Sequence, residues 1–281
     1  MRQGSLRRIL TFLLAAVFLF SVFMVIRRQI QYRQIIADSD EAARIAGLEK
    51  SAPPRRPEAA PPVPAAEREE PAETEVPPAD PLPEEAAELA NIDLEALRAV
   101  NEDVVGWIAI PGTDLSYPMV QGEDNQYYLS HNWKKESISG GAVFLDAGGG
   151  RDLADFRTVI FAHRMRNGTM FGMLKEYQDT GFWREHPRVY LVTDGGVYCY
   201  DIFSAQEASV NGIVYRPEAG EGDLAEEYIR YCTEGSVIET GITPEADDRF
   251  LVLSTCTGTG YASRWVVHAR LAHVYGAETA E

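Results

Sequence analysis

Leu251-Val252-Leu253-Ser254-Thr255-Cys256 is an apolar, β-branched run that ends on a thiol. Its composition suits a buried strand. Arg264 follows eight residues later and opens another such stretch, Trp265-Val266-Val267. Upstream, Thr158-Val159-Ile160-Phe161-Ala162 runs into His163 in the same manner. Strand ends that deliver a Cys, a His and an Arg supply a nucleophile, its proton partner and a cation for an oxyanion. Such a set suits covalent catalysis at a carbonyl.

Outward from these runs, strand signals dominate. Residues 106–110 lead into the Pro111-Gly112 turn, and 117–120, 142–145 and 157–162 follow. Residues 189–193 and 197–203 are joined by Asp194-Gly195-Gly196, a hairpin signal. With 250–256 and 264–275 the set reaches eight short strands, a mainly β chain that points to a closed barrel. Helices are expected at 92–101, 124–129, 171–177 and 223–232, the last placing Leu224, Tyr228, Ile229 and Cys232 on one face.

Eleven of the sixteen prolines fall between Pro53 and Pro83 among Ala and Glu, a composition that cannot bury enough surface to order itself. The folded part therefore starts near Asn91, as one domain over 91–276 with a short tail, 277–281. From Ile92 onward 15 Lys and Arg face 29 Asp and Glu, a net charge of −14 in a chain of −17 overall. That sign excludes a binder of nucleic-acid phosphates.

Ile9 to Ile26 is an unbroken apolar run of eighteen residues, long enough to span a bilayer, after a short tail at 1–8. Arginines flank it on both sides (Arg2, Arg7, Arg8; Arg27, Arg28, Arg33), so the positive-inside rule does not settle orientation. Arg27-Arg28 replaces the small residues of a cleavage site, which favours an uncleaved anchor. Residues 27–90 then read as a juxtamembrane helix and a Pro/Ala/Glu-rich linker. In extended form the segment from Ser51 to Pro83 could reach on the order of 100 Å, which puts the domain at a distance from the lipid.

Among the five histidines, only His163 sits at the sharp end of a β-branched run. His268 and His273 fall at ordinary positions of the last strand, His186 in a turn and His131 in a loop. Cys199 and Cys232 are expected as small buried hydrophobes, with a disulfide between them as the alternative. No pair of His or Cys has metal-ligand spacing, and Gly148-Gly149-Gly150 runs into Arg151-Asp152, not a phosphate cradle. Neither a metal nor a cofactor is expected.

Taken together these residues resemble the class B branch of the sortases over 102–275. Leu253-Ser254-Thr255-Cys256 is similar to the family's Leu-x-Thr-Cys signature, and Arg264 with Val266-Val267 and Arg270-Leu271 to its arginine strand. Phe161-Ala162-His163-Arg164-Met165, Gly168-Thr169-Met170-Phe171, Leu174 and Tyr177 follow the class B histidine region. Phe161, Ala162 and Arg164 depart from the usual Tyr-Gly before the His and Asn after it, and Thr257 stands where an acid is common.

The resemblance implies an eight-stranded sortase barrel on a single-pass anchor, lying outside the cytoplasm at the cell membrane. It also implies cysteine transpeptidation: Cys256 as nucleophile, His163 as acid and base, and Arg264 on the carbonyl oxygen. Asn125, Leu129, Ser254 and Thr255 resemble substrate-groove positions. The implied partners are surface proteins bearing a sorting signal and an amine acceptor on a peptidoglycan precursor or a pilin. A cysteine endopeptidase that only hydrolyses, and an idle wall-binding module, are the alternatives.

Overall fold

The computed structural model describes residues 2–48, 82–258 and 260–276. Eight strands form a closed barrel: β1 (Val104–Ala109), β2 (Ser116–Val120), β3 (Val143–Leu145), β4 (Arg157–Phe161), β5 (Arg188–Thr193), β6 (Gly196–Ser209), β7 (Phe250–Cys256) and β8 (Ser263–Tyr275). Their order around the barrel is β1-β2-β3-β4-β7-β8-β6-β5. Pairs β2–β3 and β4–β7 are parallel, and the others antiparallel. All eight expected strands are present.

The strands around the thiol are apolar on both faces because both faces are covered. Leu251, Leu253, Ile160, Ala162, Val267 and Ala269 point into the main core. Phe250, Val252, Val159 and Val266 point outward beneath the helix Asp223–Glu234, which contributes Tyr228 and Cys232 to a second cluster. Gly106, at the bulge in β1, lets two backbones approach closely: a Cβ there would lie 2.2 Å from the Val192 carbonyl oxygen.

Two departures from expectation have a physical cause. β6 runs six residues beyond Phe203, through the small and polar Ser204-Ala205-Gln206-Glu207-Ala208-Ser209, because β8 pairs with it along this whole length. Tertiary pairing overrides weak strand propensity here. The helix expected over 92–101 shortens to Leu94–Arg98, capped where the Asp93 carboxylate accepts the Ala96 N–H at 2.8 Å. Leu94 and Leu97 are buried, whereas Val100 is 47% exposed.

At the N-terminal end one helix, α1 (Arg2–Ile45), contains the apolar run and continues past it. Phe12, Leu13, Phe18, Leu19 and Phe23 are exposed, whereas Ile35, Ala42 and Ala46 are buried. The second half of α1 docks on the barrel. Ser39 donates to the Ser116 carbonyl at 3.4 Å, Asn132 to the Asp38 carboxylate at 3.0 Å, and Lys134 pairs with Glu41 at 2.8 Å. Ala43, Ile45 and Leu48 pack in one cluster with Leu82 and Ile92, and the Asp93 N–H donates to the Ala46 carbonyl at 3.0 Å.

The segment 49–81, which holds most of the expected spacer, lies outside the described residues; Leu48 and Leu82, which flank it, pack in the same cluster. The described part of α1 links the apolar run to the barrel directly. At 1.5 Å per residue, Ile26 and Ile35 stand about 14 Å apart along the helix. Removing the Ile35 side chain, whose tip faces Gly140, should cost about 2–5 kcal/mol of stability. Chemical unfolding of the detergent-solubilised Ile35→Ala protein checks this, and an unchanged midpoint would mean that the docking contributes nothing.

Candidate active site

Parallel pairing of β4 with β7 brings the His and Cys segments together. Phe161 is level with Ser254, the Ala162 N–H donates to the Ser254 carbonyl at 3.3 Å, and the Thr255 hydroxyl donates to the Ala162 carbonyl at 2.8 Å. His163 and Cys256 each follow two residues after the Phe161–Ser254 pair. The antiparallel β8 sets Arg264 directly opposite Cys256. Residues two apart share a face, so Cys256 lies with Ser254 and Val252, and Arg264 with Val266, on the outer face. All three side chains are half-buried at this one end of the barrel.

The imidazole is held by the backbone. His163 Nε2 lies 2.7 Å from the Leu129 carbonyl oxygen, at the end of a short 3-10 turn, Tyr127–Leu129. A carbonyl only accepts, so Nε2 carries a proton and Nδ1 is left for proton exchange. Leu129 thus enters the site through its carbonyl. Arg264 Nη1 donates to the carbonyls of Tyr261 and Ser263 at 3.1 and 2.9 Å. These bonds fix the guanidinium plane and leave donors on Nε and Nη2.

The other groove positions have separate tasks. Asn125 uses its amide on the turn after β3: Nδ2 donates to Asp146 and Oδ1 accepts from the Ala147 N–H at 2.8 Å. Thr255 is buried and points inward, strapping β7 to β4. Ser254 is also buried, and its hydroxyl meets the Tyr215 hydroxyl at 2.8 Å.

Sequence reasoning missed Tyr215. It lies in a 3-10 turn, Ile213–Tyr215, after β6, where no periodicity marks it. Its ring stacks on Phe161 at 6.4 Å, and burial pushes its pKa up to about 12 against the opposing pull of the Ser254 hydrogen bond and the Arg264 charge. It stays protonated and braces the strands that carry the His and the Cys. Among the described residues no group of His, Cys, Asp or Glu could hold a metal.

A second Cys–His pair lies under the helix Asp223–Glu234. His268 is fully buried, not the ordinary strand position expected of it, with Nδ1 at 3.1 Å from the Tyr228 hydroxyl and 3.6 Å from Cys232 Sγ. Burial pushes the Cys232 thiol far above its usual range. Burial, and then the Arg157 charge, pull His268 down to about 3. A neutral thiol and a neutral imidazole sealed from solvent make a structural pair. Cys199 is likewise buried and free. Cys256 alone of the three cysteines reaches the surface.

Comparisons with known proteins show the family. The model of the sortase domain matches residues 108–272. The chain belongs to the sortase family. Sortase B of Listeria monocytogenes is 33% identical over 164 residues, which is 58% of this chain and 67% of that protein. A Staphylococcus aureus sortase B–substrate complex superposes with a TM-score of 0.61 at 28% identity, covering 64% of this chain and 85% of that one. Sortase B from Bacillus anthracis gives a TM-score of 0.56 at 33% identity, with 64% and 83% covered. The chain is thus a class B sortase, and its family consists of cysteine transpeptidases.

The pair under the helix should show in the pH dependence of stability. With a folded pKa near 3 against about 6.5 unfolded, His268 stabilises the fold fully above about pH 6.5. Protons bind the unfolded chain preferentially below that, so stability falls as pH drops toward 3. Between pH 6.5 and 5, above the carboxylate range, melting temperatures of His268→Gln should depend less steeply on pH than those of the parent protein. Equal slopes would count against a buried neutral imidazole.

Proposed function

We propose that this class B sortase is a membrane-anchored transpeptidase that cuts the sorting signal of a surface protein and passes the new carboxyl terminus to an amine. The observation that carries the reading is the meeting of Cys256, His163 and Arg264 at adjacent ends of β4, β7 and β8. The Cys256 thiol passes its proton to His163 Nδ1 as the sulfur attacks the carbonyl carbon of the sorting signal's Thr. The oxygen takes up the negative charge beside Arg264, whose Nε and Nη2 face it as donors. His163 gives its proton to the leaving amine as the C–N bond breaks, and a thioester remains on Cys256.

An amine of a peptidoglycan precursor or a pilin then attacks the thioester. His163 takes the amine's proton, the new amide forms, and the sulfur leaves and recovers that proton from His163. In this reading Leu129 orients the base through its carbonyl, and Ser254 supports the site through Tyr215. Residues 9–26 of α1 are the anchor, with the barrel on the extracytoplasmic side. A substrate complex of a related sortase B supports the peptide half of the reaction. The exposed apolar half of α1, with mean hydropathy 1.9, supports the anchor.

Cys256→Ala should abolish covalent capture of a sorting-signal peptide, scored by intact mass; an adduct surviving in that variant excludes the proposed nucleophile. Arg264→Ala should lower kcat by on the order of 10²–10³ with the fold retained. Adding an amine to the thioester should yield ligated peptide. Hydrolysed product alone, at every amine concentration, would make the chain an endopeptidase.

A further inference from the structure

The nucleophile lies in a basic setting that acyl transfer itself does not require. Arg164 directly follows His163, and its Nη1 donates to the carbonyl of Thr257, the residue after Cys256. A Cβ on Gly258 would stand 3.1 Å from the same nitrogen. Arg264 lies opposite Cys256, and Arg166 is exposed two residues beyond Arg164. Three guanidiniums thus belong to the segments that carry the site, in a domain where from Ile92 onward 15 bases face 29 acids. Elsewhere Arg98, Lys134, Lys135, Arg188 and Arg270 each hold a carboxylate, whereas Arg151, Arg157, Arg184, Arg216, Arg230 and Arg249 are in no ion pair among the described residues. Among the described residues no carboxylate pairs with Arg164, Arg166 or Arg264.

We propose that Arg164 is a specificity residue, and that the sorting signal taken by this site carries an Asp or Glu beside the scissile bond. The inference rests on the transpeptidase reading above. One N–H of Arg164 is committed to the Thr257 carbonyl, which steadies the fork while its remaining donors stay available. A substrate carboxylate can accept two of them side by side, at the edge of the chemistry and partly shielded from water. The neutral Thr257 supplies no competing charge from within the chain. At a half-exposed site such a pair should favour the acidic peptide by about tenfold over its amide counterpart.

The full-length protein in detergent is offered a Thr-centred peptide library, and capture by an added amine is read by mass spectrometry. The best sequence is then made as Glu/Gln pairs at each position flanking the cut, and the ratio of kcat/KM within each pair is measured. The expected ratio at one position is about ten in the parent protein, shrinking as salt is raised. It should fall to near one in Arg164→Gln. It should also fall to near one in Thr257→Glu, which puts a carboxylate of the chain beside Arg164. Ratios of one or below at all positions in the parent overturn the proposal, as does a preference that survives both substitutions. No capture of any peptide, acidic or neutral, sinks the transpeptidase reading and this one with it, whereas capture without acid preference sinks this one alone.

Discussion

The parallel pairing of β4 with β7 is the constraint on which the active end of the barrel depends. Parallel neighbours finish at the same end, so the residues after Phe161 and after Ser254 emerge together. Antiparallel β8 begins where β7 finishes and presents Arg264 there. Slippage by one residue would turn Leu251 and Leu253 out of the core and drive Val252 into it. Both faces of these strands are buried, so the slip is costly on either side. Apolar packing thereby fixes the position of a small polar site whose own hydrogen bonds are few.

Two Cys–His pairs in one chain show how burial decides chemistry. Cys232 and His268 have a direct contact and no access, and desolvation keeps both uncharged. Cys256 and His163 sit at a rim, where charge is tolerated and a guanidinium stands opposite. Contact distance alone would select the sealed pair. A nucleophile has to meet its substrate, and of the two pairs the one at the rim is open to it, which is why the proposal rests on Cys256.

Much of this was legible in the sequence because it is written in short-range signals. β-Branched runs, the Asp194-Gly195-Gly196 turn and the abrupt ends at His163 and Cys256 mark the strands and their outlets. The rest depends on contacts between distant segments. The outer half of β6 is a strand only because β8 lies beside it. Tyr215 reaches Ser254 across thirty-nine residues, and Leu129 reaches His163 across thirty-four, the latter through a backbone atom common to all residues. The buried faces of α1 are formed by a barrel that begins some sixty residues after it. Asn125 shows the opposite limit, since a groove-like position proves to spend its amide on the turn after β3.

The unbroken course of α1 would make a lever of the anchor proposed above. Under that proposal residues 9–26, a span of about 27 Å, adjust the tilt of the helix to the local hydrocarbon thickness. Since its far half is clamped to the barrel by Ile35, Ser39, Asp38 and Ala42, each degree of that tilt is handed on to the mouth that holds the thiol. On the proposed anchoring, lipid composition would aim the barrel as well as retain it.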